Sequence, residues 1–135
     1  MENSPPKGIL RLTRWHGVLW LTMGCVAAWM ARDICLHYNT IAGTDLTGPH
    51  IARICLAVFI GPLTGPIANP GANEWPLACR WAFPLLLIQL ASLVPFLICR
   101  KPVHPGLATI AWLAFAGASG MWFFGAILSL GLFLM

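Results

Sequence analysis

Residues 61–71 read GPLTGPIANPG, with prolines at 62, 66 and 70, and they close an apolar run that begins near Ile54. Proline has no amide proton and blocks the helical bond to the carbonyl four residues back. A helix continued through this stretch therefore leaves the carbonyls of Val58, Pro62 and Pro66 without their usual donors. Inside hydrocarbon each such carbonyl needs a polar side chain, backbone or water to meet it. Gly61 and Gly65 form a small-xxx-small pair that admits a neighbouring helix at short range. Whether the chain kinks, stops or turns back here decides the topology of the protein.

The surrounding composition sets the class. Of 135 residues, 59% are hydrophobic and only 9% charged, against about 25% charged in soluble domains. That is too little charge to coat a water-facing surface, so the bilayer is the expected environment. The fold class is an all-α integral membrane protein, a single bundle over 1–135. Spans are expected at about 15–35, 51–68, 81–99 and 107–132, joined by a polar loop at 36–50 and short loops at 69–80 and 100–106. The second span is kinked or broken at Pro62 and Pro66. Residues 1–14 followed by an apolar core have the shape of a signal peptide, but Trp29 and Met30 stand where a cleavage site wants small residues. The segment reads as a retained anchor.

Two topologies compete. With four crossings, Lys7, Arg11, Arg14 and Arg80 lie on one face and Arg32, Arg53, Arg100 and Lys101 on the other. An even division gives no orientation. If the second run is instead re-entrant, five basic residues (Lys7, Arg11, Arg14, Arg100, Lys101) share one face against Arg32, Arg53 and Arg80. Eighteen apolar residues ordinarily cross, so four crossings is the expectation and three crossings plus a re-entrant segment the alternative.

The residues able to carry chemistry are few. In the four-crossing arrangement Cys35, His37, His50, Cys55, Cys99 and His104 gather at one face, and thiolates with imidazoles can bind zinc or copper. Their spacings match no metal signature, so interfacial histidines and buried, inert cysteines are the simpler reading. His16, four residues before Trp20, is a candidate axial ligand for haem or pigment, although Leu12 and Trp15 crowd it. Five widely spaced cysteines do not suggest a disulfide framework. No charged side chain lies in the middle of a span, which argues against proton-coupled transport. Serine-hydrolase, zinc-protease and nucleotide-binding motifs are missing from the sequence.

The clearest signals concern packing. Gln89 lies mid-span and calls for an interhelical partner, with Thr22, Thr64 and Ser119 available. Ala114, Gly117, Ala118, Gly125 and Ser129 form a small-residue stripe along the last span. The expected function is a non-catalytic accessory or assembly subunit of a larger membrane complex, its partners being the bilayer and other membrane subunits. One alternative is a small channel or transporter built on the broken second helix. Another is a haem-, pigment- or metal-binding subunit of an electron-transfer or photosynthetic complex. The sequence requires no cofactor and contains no contiguous basic stripe for nucleic acid.

Overall fold

A computed structural model describes residues 7–43, 46–68, 75–98 and 103–134, and among these it is all-helical. The elements are α1 (Lys7–Ala42), α2 (Gly48–Ala57), a 3₁₀ segment (Val58–Leu63), α3 (Thr64–Ala68), α4 (Trp75–Ile98) and α5 (Pro105–Leu134). Four stretches are long and apolar enough to cross a membrane: Arg14–Ala42, Gly48–Ile67, Trp75–Ile98 and Pro105–Leu132.

Two helices are longer than the sequence suggests. α1 runs on through half of the expected 36–50 loop, because nothing breaks it before Gly43, whose φ of +63° is the left-handed conformation that ends helices. Asn39 then ties the turn from inside the helix. Its Nδ2 donates to the Leu46 carbonyl at 3.2 Å, and its Oδ1 accepts from the Leu46 amide at 3.0 Å. α4 starts at Trp75 rather than near Trp81. Pro76 occupies its first turn, where a missing amide proton costs nothing, and Pro84 consequently falls inside the helix.

Contacts between helices fix their directions. His16 near the start of α1 stacks on Trp112 and meets Phe115 edge-on, while Trp20 meets Phe123. Positions on α1 and α5 rise together, so these helices run the same way. α4 runs against them: Phe96 near its end reaches His16, and Ala78 near its start shares a cavity wall with Leu128 and Ser129. α2 runs against α1, for Cys55 Sγ donates to the Ala28 carbonyl at 3.4 Å and Phe59 lies over Gly24.

The second apolar segment then reverses. Gly61 has φ +67° and ψ −134°, a region open in practice to glycine alone. Beyond it Pro62 packs on Gly125 and the Gly65 amide reaches Ser129, so the returning arm advances with α5. Thr64 Oγ1 donates to the Ala57 carbonyl at 3.0 Å. In a straight helix those two residues stand about 10 Å apart along the axis. α2 packs on α3, and among the described residues it makes no approach to α5. GPLTGPIANPG thus begins at the tip of a helical hairpin.

That tip lies deep in the bundle. Val58, Gly61, Pro62, Thr64 and Pro66 are buried, and they join a core formed by Ala27, Ala31, Trp122, Phe123, Ala126 and Leu130. Gly24 and Trp122, the residues that receive the tip, each sit in the middle third of their helix.

Candidate functional site

The hairpin tip is where the sequence placed its broken helix, and its backbone polar groups show what the break does. The Phe59 carbonyl faces Pro62, which has no proton to give in a 3₁₀ turn. It accepts instead from Trp122 Nε1 at 3.2 Å. Thr64 Oγ1 lies within bonding distance of two carbonyls, Ala57 at 3.0 Å and Gly61 at 2.6 Å. On the returning arm the Gly65 amide belongs to the first turn of α3, where no intrahelical acceptor exists. Ser129 Oγ accepts it at 3.0 Å while donating to the Ala126 carbonyl at 3.0 Å. Trp122 and Ser129 are two turns apart on one face of α5, so a single helix serves both arms.

Close approach makes this possible. A β-carbon at Gly61 would overlap the Trp122 indole, and one at Gly24 would overlap the Phe59 ring. At Gly125 a β-carbon would come within 3.0 Å of Pro62 Cγ. The sequence stripe on α5 is therefore divided. Ala118 is buried, and Gly125 and Ser129 face the hairpin, while Gly117 is exposed with nothing within 4 Å of a β-carbon there. Ala114 is half-buried beside it.

Among the described residues, the His and Cys residues do not form one cluster. Cys35 is buried and Cys55 half-buried where α1 meets α2, while His37 and His50 are exposed. His50 Nδ1 and Thr47 Oγ1 share a hydrogen bond of 2.9 Å. His104 precedes α5 at the opposite end of the bundle, the end at which α1 starts. Cys99 lies outside the described residues. Among the described residues no three His, Cys, Asp or Glu side chains come together as a metal site.

His16 is 2% exposed and enclosed by aromatic rings. Trp112 stacks on it with centroids 3.8 Å apart, Phe115 stands at 4.8 Å and Phe96 at 5.0 Å. A planar macrocycle has no room on the faces these rings occupy. Gln89 is buried as its mid-span position demands, but none of the expected partners meets it. Thr22 bonds back to Val18 and Thr64 serves the hairpin, while Gln89 Nε2 and Ser119 Oγ are buried with no hydrogen-bond partner.

Two residues that matter at the tip escape sequence reading. Trp122 looks like one more core aromatic, since nothing in the pattern announces that its indole proton is used. Thr64 is attributable to Gln89 as readily as to the backbone. The prolines signalled a need for donors, but the carbonyls that Thr64 and Trp122 meet are those of Ala57, Gly61 and Phe59 rather than the expected Val58, Pro62 and Pro66. Comparison of the chain with protein-family models, curated proteins and solved structures finds no match.

Proposed function

We propose that this is a multi-pass membrane protein that crosses three times, through α1, α4 and α5, and carries its second apolar segment as a re-entrant hairpin. It acts as a small accessory subunit through helix packing rather than catalysis. The observation that carries the reading is the bracing of the hairpin tip: the carbonyls of Ala57, Phe59 and Gly61 and the amide of Gly65 are met by Thr64, Trp122 and Ser129. Backbone engaged in this way braces the bundle, which favours the packing reading over a channel built on the broken helix. The hairpin also fits the charge distribution. Three crossings correspond to the five-to-three division of basic residues read from the sequence, and the positive-inside rule makes the richer side cytoplasmic.

The surface left for a partner includes Gly117 on the outer face of α5, flanked by exposed Leu113, Met121 and Phe124. A flat small residue among large apolar ones suits a second transmembrane helix at close range. Purification of the tagged chain from its native membrane in mild detergent tests this reading. A discrete assembly containing another membrane protein is expected. A monomer that is active alone contradicts it.

A further inference from the structure

The start of α1 carries charges that work against its own helix. Lys7, Arg11 and Arg14 follow one another there, and the first turn contains no acidic residue. A helix presents the positive end of its dipole at its first turn, so a cation at position 7 is placed unfavourably. Like charges three and four residues apart also repel across a helix surface. Glu2 is the one carboxylate among residues 1–32. An anion lying along this stretch relieves both costs.

Register and depth say which anion. Positions 7, 11 and 14 have the four-and-three spacing of one helix face, and Val18, Leu21 and Cys25 continue it. At 3.6 residues per turn the six positions fall within an arc of about 80°. Arg14, Val18, Leu21 and Cys25 are exposed, whereas His16, Ala27 and Ala31 on the other side of α1 are buried in the bundle. Trp15 and Trp29, both exposed, mark the ends of the apolar stretch, as tryptophan does at bilayer interfaces. From position 14 out to position 7 is about 10 Å along the axis, and the headgroup layer on each side of the hydrocarbon is about 5–8 Å deep. The lipid-facing side of α1 thus leads from apolar side chains into three basic positions that span the headgroup layer.

We propose that this face of α1 binds an anionic phospholipid, its headgroup phosphate held at positions 7, 11 and 14 and an acyl chain lying along Val18, Leu21 and Cys25. A free phosphate would match the basic positions but would leave their apolar continuation unused. The site requires only that α1 cross the membrane, and it stands independently of the hairpin and of the accessory-subunit reading.

The test uses the full chain in neutral detergent micelles, titrated with phosphatidylglycerol or with phosphatidylcholine of the same acyl chains and read by native mass spectrometry. Micelles keep the orientation of insertion out of the measurement. The parent should retain phosphatidylglycerol in preference to phosphatidylcholine, and inorganic phosphate should not displace it. Arg14→Gln should lower that retention about fivefold, the worth of one cation near an anionic headgroup, and Arg14→Lys should recover most of it. Arg80→Gln, exposed at the other end of the bundle, should change nothing. The double variant Arg11→Gln, Leu12→Arg keeps the net charge but turns one cation about 100° around the helix, and it should lose as much as Arg14→Gln. Equal retention of the two lipids, displacement by inorganic phosphate, or full retention by the double variant would overturn the proposal. So would a loss in Arg80→Gln that matches Arg14→Gln, since that assigns the effect to net charge.

Discussion

Trp122 donates its indole proton to the Phe59 carbonyl at 3.2 Å, and the same ring lies against Gly61 where the chain reverses. One side chain thus fills the space that a β-carbon at residue 61 would need and satisfies a carbonyl that Pro62 cannot serve. The turn is possible because position 61 is glycine, and it is stable in an apolar interior because position 122 is tryptophan.

Gly61→Ala should be the most damaging single-methyl change in the chain. It forces a side chain into a positive-φ conformation costing about 1–3 kcal/mol and overlaps a packed ring for about 1–3 kcal/mol more. The expected outcome is a large drop in the detergent melting temperature or loss of folded protein. By contrast Gly117→Ala, with open space around it, should leave the melting temperature unchanged or slightly raised. Equal behaviour of the two variants would refute the reversal at Gly61.

Trp122→Phe retains an aromatic ring but deletes the proton, and Ser129→Ala leaves the Gly65 amide without its acceptor. Each should cost about 1–2 kcal/mol, the range for stranding a buried partner. The two sites bond to different arms of the hairpin and share no partner, so their effects should add to within about 0.5 kcal/mol. Chemical denaturation of the two single variants and the double variant in micelles measures both quantities.

Thr64→Val keeps the shape of the side chain and removes the hydroxyl from the Ala57 and Gly61 carbonyls. A loss of about 1–3 kcal/mol is expected, while Thr64→Ser, which retains the hydroxyl, should recover most of it. If Val and Ser behave alike, the hydroxyl is not what holds the two arms together.

Gly117→Leu addresses the accessory-subunit reading separately from the fold. The isolated chain should keep its melting temperature, because the position is exposed. Co-purification of a partner subunit should fall severalfold. Undiminished recovery of the partner would move the interface elsewhere.

The sequence already located the break, because three prolines at four-residue spacing cannot be accommodated by an unbroken helix. Of the small-residue stripe on α5, Gly125 lies against Pro62 and Ser129 bonds to the Gly65 amide. What the sequence left open was the sense of the break. A kink and a reversal use the same residues and differ in the backbone angles of Gly61, which composition and periodicity do not encode. The His and Cys grouping followed from assuming four crossings, and the hairpin separates His104 from His37 and His50. Gln89 shows a different limit: its burial was predictable from its position, whereas its lack of an internal partner depends on where three other helices happen to stand.

The re-entrant hairpin is the central claim, and site-directed labelling tests it most directly. In a background lacking the five native cysteines, single cysteines at His50, Glu74 and His104 are exposed to a membrane-impermeant maleimide in sealed vesicles. The hairpin predicts that positions 50 and 74 label from the same side and position 104 from the other. Labelling of 50 and 104 from one side, with 74 opposite, would mean that the second segment crosses the membrane and would contradict the account.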